Sequence, residues 1–360
     1  MNLQSVLVLN VLLVTITVIL SVADVLLGSN RQQLLRINDD RELSTSGGGT
    51  LLDSLAEQRI FIPAACGGKG TCGHCKVVVE EGGGDVLPTE EGFLTPQERE
   101  EGVRLACQVK VREDLSIRVH EALLEAQEYL GEVVVLEDLN YDTKFLKVKL
   151  LSPRTIDFKA GQYVQILVPG YEEFRAYSIA SPPSQRDALD FVIRLIPKGL
   201  CTTYIHKALA VGDTIRFTGP FGDFFLNEQS DRDITCLARG TGIAPIRSIT
   251  LHLKEQGMPR NVSFYFSART KKDILQYEEF KQLEAEFPNF KYYVVLSRPA
   301  PEDNWDGETG YITDTVAKYQ GDSLKDTEIY LCGPGVMIDA AMEVFDKIGV
   351  PKEQVFFDKF

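Results

Sequence analysis

Cys66-Gly-Gly-Lys-Gly-Thr-Cys72-Gly-His-Cys75 sets three thiols within ten residues, and a fourth, Cys107, follows 32 positions after the last of them. Thiolates are soft ligands that suit iron–sulfur clusters, and four of them complete a [2Fe–2S] site. The glycines serve the same end, because a loop that turns several backbone amides toward sulfur needs positive φ values and no crowding side chains. A structural zinc site is the alternative. Zinc usually takes two C-x2-C-like pairs from separated knuckles, not one glycine-rich loop plus a distant cysteine. The cluster is therefore expected on Cys66, Cys72, Cys75 and Cys107. His74 lies between two ligands and reads as a loop residue.

Outward from this loop, residues 33–125 form a small α+β module. Strand-like runs at Gln33–Ile37, Lys76–Glu80 and Leu115–Val119 surround one helical pattern, Leu51–Glu57, and Thr95-Pro96 is a helix start. Residues 126–228 alternate β-branched and polar side chains between Pro and Gly punctuation, as an antiparallel barrel does. Residues 229–360 change rhythm: apolar strand runs alternate with helical patterns, which implies a parallel sheet covered by helices.

Upstream, Leu3 to Leu27 contains no Lys or Arg, and Asp24 is its only charge. As a helix of about 25 residues it would span roughly 37 Å, enough for a bilayer core of about 30 Å. Arg31 and Arg36 follow, so a transmembrane anchor at 3–27 would leave the rest of the chain in the cytoplasm. A cleavable signal peptide fits less well, because no basic segment precedes the apolar run.

A net charge of −14 and a pI near 4.9 argue against nucleic-acid binding, which needs a basic stripe. Seven cysteines in 360 residues are too sparse for a secreted disulfide scaffold and point to a reducing compartment.

Two motif groups carry further chemistry. Arg175-Ala176-Tyr177-Ser178 offers a cation, a ring and a hydroxyl for a flavin dinucleotide, and Gly199-Leu200-Cys201-Thr202 opens a helix with free N–H groups for a pyrophosphate. Arg239-Gly240-Thr241-Gly242-Ile-Ala-Pro245 follows a strand and lets a second pyrophosphate approach the backbone. It is not the G-x-G-x-x-G fingerprint. Cys332-Gly333-Pro334 ends a later strand, and the chain closes on Phe356-Phe-Asp-Lys-Phe360.

In order and spacing these elements resemble the ferredoxin–NADP⁺ reductase superfamily. Leu87-Pro-Thr-Glu90, Arg104-Leu-Ala-Cys-Gln108 and Ser297-Arg-Pro-Ala-Pro-Glu-Asp-Asn-Trp-Asp-Gly307 narrow the likeness to the F subunits of Na⁺-translocating NADH:quinone oxidoreductases. The C-x5-C-x2-C spacing also matches membrane-bound reductases better than the plant-type x4 loop.

The resemblance implies a β-grasp [2Fe–2S] domain, an FAD barrel and a nicotinamide domain behind a membrane anchor. By it Arg175, Ala176, Tyr177 and Ser178 contact FAD, and Gly199, Leu200, Cys201 and Thr202 hold its phosphates. Phe360 covers the flavin face. NAD(P)H falls to Gly240, Thr241, Gly242, Ala268, Arg269, Ser297, Arg298, Cys332, Gly333 and Pro334. Ser178 and Cys332 stand at the hydride-transfer atoms as the catalytic pair.

The implied activity is that of an NADH:acceptor oxidoreductase on the cytoplasmic side of the inner membrane. It would pass hydride from NADH to FAD and then single electrons through the cluster to membrane-embedded redox subunits of a quinone reductase complex. A reductase feeding an oxygenase or another membrane redox partner is the alternative. The chain departs from the pattern in two places. The Pro182–Asp190 connection is compact, and Ser297-Arg298 puts a cation where NADH-using members often carry an acid, so NADPH stays open beside NADH.

Overall fold

The computed structural model describes residues 10, 12–19, 32–171 and 173–360. They belong to two compact units, Met1–Ala126 and Gln127–Phe360. The expected anchor at 3–27 lies mostly outside the described residues. Residues 12–19 are helical, and among the described residues no helix is long and apolar enough to cross a membrane.

In the first unit, strand β1 (Gln32–Ile37) pairs antiparallel with β2 (Arg41–Ser46) and parallel with β5 (Leu115–Arg118). Strand β3 (Lys76–Glu81) runs antiparallel to both β5 and β4 (Val103–Leu105), which gives a five-stranded mixed sheet in the order β2-β1-β5-β3-β4. Helix α1 (Leu51–Glu57) starts where expected because Thr50 and Asp53 form a reciprocal capping box. It buries Leu51 and Leu55 in one core with Leu35, Ile37 and Ile117. Two further short helices, α2 (Pro88–Glu91) and α3 (Pro96–Glu100), carry proline in their first turn; the Thr95 hydroxyl accepts from the Glu98 N–H to cap α3. A fourth, α4 (Glu121–Leu124), closes the unit. One helix held against a mixed sheet is the β-grasp arrangement that the resemblance implied.

The second unit begins with six strands: β6 (Gln127–Asp138), β7 (Thr143–Ser152), β8 (Tyr163–Val168), β9 (Glu173–Ser178), β10 (Ala188–Arg194) and β11 (Thr214–Phe221). They form an antiparallel sheet in the order β10-β7-β6-β11-β8-β9. The chain just past β9 returns to β10, where the Ala180 N–H donates to the Asp190 carbonyl at 2.8 Å, so the two end strands are drawn together as a barrel requires. Helix α5 (Leu200–Lys207) packs Cys201 and Ile205 into this barrel's core.

A six-stranded, wholly parallel sheet follows, ordered β15-β14-β13-β12-β16-β17. Its strands are β12 (Ile234–Arg239), β13 (Val262–Ala268), β14 (Phe290–Leu296), β15 (Glu308–Thr309), β16 (Glu328–Gly333) and β17 (Val355–Lys359). Helices α6 (Ile243–Glu255), α7 (Tyr277–Glu286), α8 (Ile312–Gln320) and α9 (Gly335–Ile348) complete the crossovers. The strand order proceeds outward from β12 to β15 and then jumps back across β12 to β16. Between the carboxyl ends of β12 and β16 lies the switch point at which open α/β sheets bind ligands.

Barrel and sheet share a core. Ala160, Ala180, Val192, Phe224 and Leu226 of the barrel are buried in one cluster with Ile234, Cys236, Ile246 and Phe264 of the sheet. The terminal segment differs from a loose aromatic tail. Val355–Lys359 adds an edge strand beside β16, with Cys332 in register with Asp358.

Candidate functional site

Four thiols in the first unit stand as two pairs. The Cys66 and Cys72 sulfurs lie 3.4 Å apart, and those of Cys75 and Cys107 lie 3.3 Å apart. Two thiolates on one tetrahedral metal, at bonds of about 2.3 Å, sit roughly 3.7 Å apart, so each pair matches one iron of a binuclear cluster. The loop is shaped for it: Gly67, Gly68, Gly70 and Gly73 all have φ between 68° and 80°, a region that favours glycine.

Hydrogen bonds prepare the thiols for ionisation. Burial opposes it at Cys66, yet the Thr71 backbone, the Cys72 thiol and the Thr71 side chain together bring Cys66 down to about 7. Its partner's thiol, and after it Gln108 and the Gly70 backbone, bring Cys107 down to about 6 against burial. Cys75, which donates to Cys107 and is buried, is driven well above the ordinary thiol range, and burial raises Cys72. The donors around Cys66 and Cys107 favour the thiolate form, which is the form a cluster ligand takes.

Around this loop the structure places residues that motif reading grouped without assigning. Glu90 and Arg104 form a buried ion pair at 2.7 Å, with side chains 0% and 5% exposed. Phe93 walls the loop so closely that a Cβ on Gly73 would lie 2.7 Å from its ring.

In the second unit, Arg175, Ala176, Tyr177 and Ser178 occupy β9, an end strand on which every residue is half-buried. Arg175 pairs with Glu173 at 2.5 Å and donates to its neighbour's carbonyl at 2.7 Å. Burial first, and the Cys201 thiol bonded to it, hold the Tyr177 phenol far above its ordinary range. Tyr177 and Cys201 thus tie β9 to the first turn of α5. That helix starts at Gly199 with no side-chain cap, so its first N–H groups are free for an anion. The Thr202 hydroxyl is not among the free groups; it accepts from the Ile196 N–H at 3.2 Å and shapes the turn.

Motif reading missed Gln165, opposite Ala176 in the β8–β9 register, whose buried Nε2 has no partner. A glutamine in a strand carries no sequence signal of that kind.

Gly240, Thr241 and Gly242 form a single turn between β12 and α6. A Cβ on Gly242 would sit 2.1 Å from the Cys332 carbonyl, so glycine lets the turn pack directly on the end of β16. α6 also begins without a side-chain cap. These two strand ends, with Gly333 and Pro334, flank the switch point. Cys332 is fully buried, and burial, then the Asp358 carboxylate, push its thiol up.

Ala268 ends β13 and Arg269 follows it, as Ser297 and Arg298 follow β14. The Ser297 N–H donates to the Ala268 carbonyl at 2.9 Å and the Arg298 N–H to the Arg269 carbonyl at 2.8 Å, which sets these residues side by side. The Ala-Pro-Glu-Asp-Asn-Trp stretch supports them: buried Asp303 accepts from the Ala300 N–H at 2.9 Å and the Lys271 N–H at 3.1 Å, joining the two loops. Phe360, 59% exposed, donates its N–H to the Gly333 carbonyl at 3.3 Å.

Three family models match the chain in this order: a 2Fe-2S iron-sulfur cluster binding domain over residues 35–112, an oxidoreductase FAD-binding domain over 131–226 and an oxidoreductase NAD-binding domain over 236–343. The chain is similar to the F subunit of the Na(+)-translocating NADH-quinone reductase of Neisseria gonorrhoeae, at 36% identity over 91% of each chain. To the protein of that name from Pseudomonas aeruginosa it is 35% identical, over 95% of this chain and 94% of the relative. Among solved structures, the Amycolatopsis cytochrome P450 reductase GcoB shares 28% identity with a TM-score of 0.75, over 91% of this chain and 98% of that one. The ferredoxin reductase in carbazole 1,9a-dioxygenase, at 24% identity and a TM-score of 0.72 over 92% of this chain and 98% of that one, shares the fold.

Proposed function

Because this chain belongs to the family of Na⁺-translocating NADH-quinone reductase F subunits, we propose that it is the NADH-oxidising electron-input subunit of such a complex. The observation that carries this reading is the succession, in one chain, of two close thiol pairs in a glycine-rich loop region, an uncapped helix beside the RAYS strand, and a glycine turn at the switch point of a parallel sheet. When bound, the nicotinamide supplies a hydride, the flavin accepts it, and the cluster carries electrons one at a time.

The chain's own residues hold and orient these groups. Cys66 with Cys72, and Cys75 with Cys107, each take one iron. The free N–H groups of α5 and the Arg175 guanidinium bind the FAD pyrophosphate, for which Arg175 exchanges its Glu173 partner. Ser178 places a hydroxyl at the flavin edge. The turn at Gly240–Gly242 and the first N–H groups of α6 would receive the nicotinamide dinucleotide, with Cys332 at the adjoining strand end. That thiol, neutral and buried, serves by packing and by excluding water. Phe360, exposed just past the last strand, would cover the flavin face.

Two finer readings rest on the same residues. Arg269 and Arg298, side by side, offer two cations to a ribose 2′-phosphate, which supports NADPH as a second donor. The apolar segment at 3–27 anchors the chain in the cytoplasmic membrane as a single pass; the exposed Leu12, Leu13, Val14, Ile16, Val18 and Ile19 on the described helix support it.

The test uses membranes carrying the complex. NADH should bleach flavin and cluster together. Cys72→Ser should keep NADH:ferricyanide reduction, which the flavin alone can support, while quinone reduction disappears. Quinone reduction that persists without an intact cluster would sink the reading. The likeness to GcoB favours a second one, a reductase serving an oxygenase; isolation with an oxygenase, and without multi-span subunits, would replace the first by the second.

A further inference from the structure

Two of the short segments that mark the family, Leu87–Glu90 and Arg104–Gln108, meet in the first unit. The Glu90 carboxylate accepts from Arg104 Nε and Nη2 and from the N–H groups of Leu87 and Leu105, all within 3.2 Å. Arg104 donates its other hydrogens to the carbonyls of Gly83, Gly84 and Asp85 at 2.8 to 2.9 Å. With every guanidinium hydrogen and both carboxylate oxygens engaged, the pair holds helix α2 in one place. That helix carries Thr89, whose hydroxyl donates to Gln108 Oε1 at 2.9 Å.

The far end of the Gln108 amide then has one orientation. Its Nε2 lies 3.3 Å from the Cys107 carbonyl and 3.4 Å from Cys107 Sγ. A carbonyl oxygen only accepts, so the nitrogen belongs at that end, and Thr89 fixes the oxygen at the other. Gly70 leaves the room: a Cβ there would be 2.7 Å from the same Nε2.

We propose that Gln108, oriented by Thr89, donates to the Cys107 sulfur and sets the reduction potential of the cluster. The inference rests on the reading that Cys107 is a cluster ligand. Reduction adds negative charge that is shared by the ligand sulfurs, and a donor aimed at one of them stabilises the reduced form. The Glu90–Arg104 pair acts at one remove, through Thr89, as a positioning device.

The test is a redox titration of the full chain followed by electron paramagnetic resonance, with iron content and the visible spectrum measured on each variant. Gln108→Leu removes the donor and should shift the equilibrium about tenfold toward the oxidised cluster, which is 59 mV for one electron. Gln108→Glu, which sets an acceptor against the sulfur, should shift it further. Thr89→Val keeps the amide but releases its far end and should give a smaller shift of the same sign, about threefold. Clusters that stay intact with shifts under twofold in all three variants would overturn the proposal. So would loss of iron in Gln108→Leu with an unmoved midpoint in Thr89→Val, which marks a merely structural role. An unsubstituted chain that binds no iron would remove the underlying reading, and the proposal with it.

Discussion

The Glu90 carboxylate and the Arg104 guanidinium, buried together, stake much of the first unit's stability on one contact. Arg104→Leu would leave the Glu90 charge without its partner in a site that excludes water, and losing one member of a buried pair costs about 3–5 kcal/mol. Denaturation followed by the visible circular dichroism of the cluster should show that loss. The pair also makes the unit acid-sensitive. Burial raises the Glu90 carboxyl, but Arg104 and the Leu87 and Leu105 amides outweigh it, so its folded pKa lies below the ordinary value. A depressed pKa contributes stability that is present in full above the unfolded value of about 4.3 and is lost as pH falls through the folded one. Acid unfolding of this unit should therefore set in below about pH 4.3 and lose part of its pH dependence in Glu90→Gln. At this scale the grouping of the four thiols into one loop region was legible, because thiol spacing and glycine content are properties of the string itself. The role of Gln108 was not, since its donor direction depends on Thr89, 19 positions away. Cys332 was legible as a motif but not as a thiol. Its complete burial predicts that an alkylating reagent at pH 8 leaves Cys201, Cys236 and Cys332 unlabelled in the folded protein and labels all three once it unfolds.

Among the elements, helix α6 does two things at once. Its first turn lies at the switch point between β12 and β16, while Arg247 and Ser248 reach back to the barrel. Arg247 donates to the Ala180 carbonyl at 2.8 Å, pairs with Asp190 at 3.2 Å and with Glu279 at 2.8 Å, and Ser248 donates to the Ser181 carbonyl at 2.7 Å. These contacts hold the end of the RAYS strand against the sheet, so that strand and the Gly240–Gly242 turn are positioned by the same helix. Arg247→Ala leaves Asp190 buried without that cation and should lower the stability of the second unit by about 3 kcal/mol. Flavin fluorescence during urea unfolding should move to lower denaturant, while the cluster signal of the first unit keeps its midpoint. Hydrophobic rhythm disclosed most strands and helix α1, and Thr95-Pro96 disclosed the start of α3. The strand of the RAYS motif reads less clearly, because as an end strand it is half-buried on both faces and lacks a clean alternation. Val355–Lys359 was hidden for the same reason: an edge strand stabilised by pairing with β16 needs no pattern of its own.

For the whole molecule, charge decides how it can stay at a membrane. A chain of net charge −14 is repelled by an anionic leaflet, so electrostatic adsorption works against it. Peripheral docking on a basic protein partner is the rival to the apolar segment at 3–27, and ionic strength separates the two. Contacts between exposed charges weaken once the Debye length falls to about 3 Å at 1 M salt, whereas burial of an apolar helix does not. The full chain should therefore stay in the membrane pellet through a wash at about 1 M salt and leave it in detergent. A variant lacking residues 1–31 should appear in the supernatant with its NADH:ferricyanide rate unchanged, because the described cores of both units are built from Leu35 onward. Its quinone reduction should fall by at least about tenfold, since tethering had kept the cluster at high effective concentration beside its acceptor. Release of the full chain by salt alone would assign membrane attachment to a protein partner and leave the apolar segment without that role.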